Sequence, residues 1–158
     1  MTIQVGDKLP EGKLKVMGEK GPTEVTISEL CTGKKVVLFA VPGAFTPGCS
    51  MTHLPGFVVN ADKIKANGVD TIVCLSVNDA FVMDAWGKAQ NAEEIVMAAD
   101  GSAEFTHALG LELDATAFGM GVRSKRYAMI VDDGNVTYLG VDAQAIEASA
   151  ADAILEAL

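Results

Sequence analysis

Cys49 is the residue best placed to do chemistry. It follows a loop that holds Pro42, Gly43, Pro47 and Gly48, and it stands at the expected first turn of a long helix. Unpaired N–H groups and the positive end of the helix dipole favour a thiolate at such a position, and the thiolate is the nucleophilic form of a cysteine. Thr46, three residues earlier, can set a hydroxyl beside the sulfur, accepting from backbone and donating to a bound oxygen. Pro42 and Pro47 withhold two backbone donors and stiffen the loop, which would screen the sulfur from water and fix the angle of approach. Each has a plainer reading: a small buried thiol for Cys49, a helix cap for Thr46, turn punctuation for the prolines. His53, four residues on, shares the helix face of Cys49, and a Cys–His pair could serve a cysteine hydrolase or transferase. Those enzymes bring the histidine from a different element and orient it with an acid, so His53 is expected to pack and hydrogen-bond near the loop instead. His107 has no partner visible in sequence.

The elements that must hold this loop alternate. Val36 to Val41 is a continuous apolar run, as expected of a strand covered on both faces. A helix is expected from about Cys49 to Asn67, interrupted by Pro55-Gly56, and then a second apolar strand over 71–77. Asn78 and Asp79 can cap a helix running to about Gln90; Ile95 to Ala99 reads as a strand, and Ser102 as the cap of a helix toward Leu109. Near the end, Arg126 to Val131 and Asn135 to Leu139 flank Asp132-Asp133-Gly134 as a hairpin, and Ser149 with Asp152 has capping-box spacing before a last helix. Residues 13–27 read as a strand pair followed by a short turn, SELC, capped by Ser28 and ending at Thr32-Gly33. Residues 141–148 carry no clear pattern. A parallel βαβ unit followed by a terminal ββα unit is the order of the thioredoxin fold, which predicts an α/β domain with a central mixed sheet and helices on both faces.

Composition narrows the function classes. The 158 residues suit one domain spanning 1–158, without repeats, linkers or low-complexity tracts. Twelve Lys and Arg against 21 Asp and Glu give −9, which leaves no phosphate-neutralising surface for nucleic acid and disfavours anionic membranes. The longest apolar run is six residues, far below the roughly 18 of a spanning helix, and MTIQVGDKLP lacks the features of a secretory signal, so a cytoplasmic location is expected. Three cysteines make a poor disulfide framework and are expected as reduced thiols. GMGVRS lacks the third glycine of a dinucleotide fingerprint, and TGKK lacks both the first glycine and the Ser/Thr of a phosphate loop. No paired metal-ligand spacing occurs, and neither a cofactor nor a metal is expected.

The segment PGAFTPGCS, Pro42 to Ser50, resembles the peroxiredoxin motif Pro-x-x-x-Thr-x-x-Cys. The likeness continues through HLPGF (53–57), LSVND (75–79), AWGK (85–88) and RSKRYAM (123–129), and it is similar to the type II, or five-type, branch. That resemblance implies reduction of hydrogen peroxide and organic hydroperoxides by a peroxidatic cysteine, which would be Cys49. A thiolate that attacks one peroxide oxygen and expels the other needs in-line geometry and donors aimed at the developing charge. Thr46 and the amides near Gly48 and Cys49 can supply donors. The family pattern matches Arg126 to the arginine beside the peroxidatic sulfur, with Arg123 the lesser candidate.

The resemblance also bears on how the cycle closes. Oxidation leaves a sulfenic acid that a second thiol must resolve. No cysteine follows Cys74, so the C-terminal resolving cysteine of several animal-type members is missing. Cys74 aligns with a second cysteine of plant-type members and is a candidate resolving residue; an inert thiol in the apolar strand TIVCLSV is the alternative. Cys31 reads as structural. The expectation is one-cysteine chemistry with glutathione and glutaredoxin, or thioredoxin, as the external reductant. A thioredoxin-like exchanger would need C-x-x-C, but Thr52 occupies the position three after Cys49. A redox-sensing or holdase-like binding protein switched by Cys49 oxidation is the alternative of a different class. The family further implies a homodimer built through loops near the site, with Phe45, Phe81, Trp86 and Phe118 as candidate contributors.

Overall fold

The computed structural model describes residues 2–158. Seven strands form one sheet: β1 (Lys13–Gly18), β2 (Gly21–Thr26), β3 (Lys35–Ala40), β4 (Thr71–Ser76), β5 (Val96–Ala99), β8 (Arg126–Asp132) and β9 (Asn135–Asp142), in the order β2-β1-β5-β4-β3-β8-β9. β3, β4 and β5 run parallel; β8 pairs antiparallel with β3, and β1 with β5. The sheet is thus mixed, the thioredoxin-like arrangement read from the order of elements. A small second sheet, β6 (Glu112–Asp114) with β7 (Val122–Ser124), lies in a stretch where sequence patterns indicated nothing.

Side-chain alternation along the central strands builds two cores. Val37, Phe39, Ile72, Cys74, Ala128 and Ile130 face one side, where they meet α2 (Leu54–Ala66), α3 (Ala80–Ala89) and α5 (Ala151–Ala157). Val36, Leu38, Val73, Leu75, Tyr127 and Met129 face the other, against α1 (Ile27–Cys31) and α4 (Glu104–Leu109). The period of two explains why these strands read as unbroken apolar runs: both faces are covered. It also assigns Arg126 a side. Sharing parity with Ala128 and Ile130, it opens β8 on the face that carries α2.

Several local expectations change. The helix after the loop is not interrupted at Pro55-Gly56; a π-helical turn, Cys49–His53, runs directly into α2. The amide of Leu54 bonds back to the Cys49 carbonyl, and this widened turn accommodates Pro55, which has no N–H for the carbonyl four residues behind it. Thr26, not Ser28, caps α1: its hydroxyl oxygen accepts from the Glu29 amide, while Ser28 donates to Glu11. Asp100, not Ser102, serves α4, accepting from the amides of Phe105 and Thr106 and from the Thr106 hydroxyl. The capping box before α5 does not form, because Ser149 is turned to Asp142. Asp79 caps α3 as expected, and Asp133-Gly134 makes the β8–β9 turn with both residues in the left-handed region.

Candidate active site

The loop between β3 and the helical turn is tied down at both ends. Val41 donates its amide to Leu75 on β4, and the Ala44 amide donates to Asn78 Oδ1, which the Ser76 hydroxyl also reaches. Phe45 takes a left-handed conformation at φ 64°, which turns the chain sharply enough for Thr46 to enter the helix. The Thr46 carbonyl accepts from the Ser50 amide at 2.9 Å, so the amides of Gly48 and Cys49 stand in a first turn without carbonyls a turn earlier.

Cys49 lies at the foot of this turn and is fully buried. Arg126 reaches it from β8, with Nη2 3.4 Å from Sγ. The other terminal nitrogen, Nη1, donates to His53 Nδ1 at 2.8 Å, and His53 Nε2 lies 2.8 Å from the Ser149 carbonyl oxygen. A carbonyl accepts only, and so does a ring nitrogen facing a guanidinium N–H; the ring is therefore the neutral tautomer with its proton on Nε2. Burial pushes the His53 pKa down to about 4, helped by the Arg126 charge and opposed by the Ser149 carbonyl and the Asp142 carboxylate. At Gly48 an added Cβ would stand 3.3 Å from Arg126 Nη2, so a bare glycine is what allows the guanidinium to lie along the turn.

This arrangement can hold a desolvated sulfur beside a fixed cation and a set of backbone donors, the setting a thiol needs to attack a polar, weakly bonded oxygen. Residues 4–155 match the Redoxin family. Peroxiredoxin-2B of Arabidopsis thaliana is 49% identical over 99% of this chain and 98% of its own length. The crystal structure of reduced Prx3 from Vibrio vulnificus in complex with H2O2 is 58% identical, with TM-score 0.95 and 99% of each chain covered. Peroxiredoxin 5 from Alvinella pompejana is 37% identical, with TM-score 0.86, covering 98% of this chain and 97% of that one. The chain belongs to the type II peroxiredoxins. As such it is a thiol-dependent peroxidase, an oxidoreductase that reduces peroxides.

Within this peroxiredoxin, the structure gathers Cys49, Thr46, Pro42, Gly48 and Arg126 around one loop and one strand end. Thr46 is there, but its hydroxyl donates to the Gly43 carbonyl at 2.7 Å rather than to the sulfur, leaving its oxygen lone pairs free to accept. Arg123 borders the same loop, its Nη1 3.2 Å from where a Cβ on Gly43 would stand, but its Nε donates to the Met120 carbonyl at 3.0 Å and the hydrogen bond to the sulfur comes from Arg126. His53 does not face the sulfur as a base would; its ring is spent on Arg126 and Ser149. His107, without a visible partner in sequence, pairs with Glu112 on the surface at 2.9 Å.

The remaining thiols are unpaired and buried. Cys74 sits in mid-strand beneath the same core as Cys49, and burial, with the neighbouring Cys49 charge, pushes its thiol well up. Cys31 is pushed up to about 11 by burial and by Glu11, against Lys34. Of the four aromatics read as interface candidates, Phe45, Phe81 and Phe118 are exposed. Trp86 is not: it is fully buried, with its indole N–H donating to the Ser50 hydroxyl at 2.9 Å. Amphipathic spacing could have identified Trp86 as core, since Met83 and Ala80 share its face.

Proposed function

We propose that Cys49 is the peroxidatic nucleophile and that Arg126, Thr46, Pro42 and Gly48 complete its site. The observation that carries this reading is the 3.4 Å approach of Arg126 Nη2 to a fully buried Cys49 sulfur. The thiolate attacks the terminal oxygen of ROOH; a sulfur–oxygen bond forms as the oxygen–oxygen bond breaks, and sulfur is oxidised while peroxide is reduced. The attacked oxygen keeps its hydrogen and becomes the sulfenic hydroxyl, held by the Thr46 oxygen as acceptor. The leaving alkoxide or hydroxide develops charge toward Arg126 and the amides of Gly48 and Cys49, then takes a proton to leave as alcohol or water. Pro42 keeps the loop rigid and free of a competing donor.

Hydrogen peroxide and organic hydroperoxides are the proposed substrates, a reading supported by the H2O2 complex of the Vibrio relative. An external thiol, glutathione with glutaredoxin or else thioredoxin, resolves the sulfenic acid. It forms a mixed disulfide with loss of water, and a second thiol then opens that disulfide and restores Cys49. The buried mid-strand position of Cys74 supports an external rather than an internal partner, since bridging would require β4 to open. The 158 residues act as one domain. Exposed Phe45, Phe81, Phe118 and Met51 support a homodimer, and the three free thiols support a reducing compartment such as the cytoplasm.

The test is stopped-flow oxidation by one equivalent of hydrogen peroxide. Trp86 fluorescence serves as the signal, because its indole is bonded to the residue after Cys49. Fast oxidation that Cys49→Ser abolishes and Cys74→Ser spares, ending in a sulfenic acid by mass spectrometry, is the expected result. A Cys49–Cys74 disulfide would overturn external resolution. Oxidation no faster than that of an ordinary thiol would overturn Cys49 as nucleophile and leave a sensing or holdase-like role.

A further inference from the structure

Beyond the loop that carries Cys49, one polar residue lies at the far end of a chain of contacts leading to its sulfur. We propose that Asp142 is a positioning residue for peroxide reduction: it clamps residues 143–149, fixing the Ser149 carbonyl that selects the His53 tautomer and so orients Arg126 on Cys49. The proposal rests on the assignment of Cys49 and Arg126 made above.

Asp142 ends β9 as the cross-strand partner of Arg126, yet among the described residues its carboxylate makes no ion pair. It is spent on the chain that follows. Oδ2 accepts from the Ser149 hydroxyl at 2.6 Å, the Ser149 amide at 2.8 Å and the Glu147 amide at 3.0 Å, and Oδ1 accepts from the Ala148 amide at 3.2 Å. Burial alone would raise the Asp142 carboxyl, but the Ser149 hydroxyl and these amides outweigh it and hold the group below its usual range. The segment between β9 and α5 forms no helix or strand, so its shape depends on such bonds. Two further contacts close it. Tyr138 donates its hydroxyl to the Ala148 carbonyl at 2.7 Å, and Gly140 lies so close beneath that carbonyl that any Cβ there would run into it.

The clamp matters chemically because of what Ser149 touches next. With its carbonyl 2.8 Å from His53 Nε2, the proton must sit on Nε2, and Nδ1 is left as the acceptor for Arg126 Nη1. If the carbonyl drifted, the tautomer with the proton on Nδ1 would set N–H against N–H and turn Nη1 away. Nη2 would then lose its fixed direction toward Sγ. Residues 142, 149, 53, 126 and 49 thus form one line of polar contacts from the end of the sheet to the sulfur.

The experiment combines ring-nitrogen NMR with the rate of Cys49 oxidation, on the whole protein. Only two histidines are present, so the His53 ring is assigned by its loss in His53→Gln. The wild type should show a single neutral Nε2–H tautomer. In Asp142→Ala the His53 signals should shift toward mixed tautomers, and oxidation by hydrogen peroxide should slow by about 10- to 100-fold, the scale of a misaligned reacting group. Asp142→Asn, which keeps one acceptor oxygen, should fall between. Asp142→Ala made in the His53→Gln background should cost little more than His53→Gln alone, because Asp142 acts through that ring. Ser149→Ala, which removes one hydroxyl but no backbone, gives the same readouts if Asp142→Ala does not fold. An unchanged tautomer with an unchanged rate, or losses that simply add in the double variant, would overturn the proposal. Slow oxidation of the wild type would instead overturn the Cys49 assignment, while the NMR would still decide whether Asp142 governs the His53 ring.

Discussion

Lowering the pH should destabilise this protein through the buried ring of His53, in addition to carboxylates such as Asp142 that are held low. His53 is 1% exposed. Its pKa lies at about 4 against an ordinary 6.5, chiefly because burial penalises the charged ring. As pH falls below that ordinary value, the unfolded chain takes a proton at His53 that the folded chain refuses, so the unfolded state gains. The contribution of the neutral ring is therefore complete above about pH 6.5 and is lost as pH falls from there to about 4. At about 1.4 kcal/mol per unit, the loss amounts to roughly 3 kcal/mol at the lower end. With an m-value of about 2 kcal/mol/M, the urea midpoint moves by roughly 1–2 M. The assay is urea unfolding at pH values from about 7 down to about 4, for the wild type and for His53→Gln. The glutamine amide can donate to Ser149 and accept from Arg126 without titrating, so the difference between the two proteins isolates the histidine from the carboxylates. Midpoints that fall in parallel would mean that His53 is not the group whose protonation destabilises the fold.

Other outcomes follow from single contacts. Arg126→Ala removes the donor 3.4 Å from the sulfur and should slow Cys49 oxidation in stopped flow by about 10²–10³-fold. Arg126→Lys should recover only part of this, since one ammonium cannot serve both the sulfur and His53; full recovery would argue against the fork. Gly48→Ala presses a methyl group to 3.3 Å from Arg126 Nη2 and should slow the same step by about tenfold with secondary structure intact by circular dichroism. Tyr127, fully buried on β8, has a hydroxyl without a partner among the described residues, so Tyr127→Phe should raise stability by about 1 kcal/mol in urea unfolding. A loss instead would mean that the hydroxyl has a partner.

The seven strands of the main sheet, the loop Pro42 to Gly48, the Asp79 cap, the Asp133-Gly134 turn and the placement of Cys49 at a helix start were legible in the sequence alone, whereas β6 and β7 were not. The legible features are all local: periodicity, a capping residue or a turn dipeptide acts within a few positions, and its signal survives without knowledge of distant chain. Where the competing partner was distant, local reading failed. Ser149 has the spacing of a cap, yet its hydroxyl goes to Asp142, seven residues back across an irregular segment. Ser102 was a miss of another kind, lost to a near neighbour: Asp100, two residues earlier, collects two amides and a hydroxyl at once. The approach of Arg126 to Cys49 could be expected only from the family resemblance, and the contact of Arg126 with His53 joins residues 73 apart. Nothing in the composition of either segment marks it. That pairing is a product of the assembled fold: the register of β8 against β3 and the widened turn ahead of Pro55 bring the guanidinium and the ring to the same face. Hydrogen bonds of about 3 Å depend on that placement, and no local propensity encodes it.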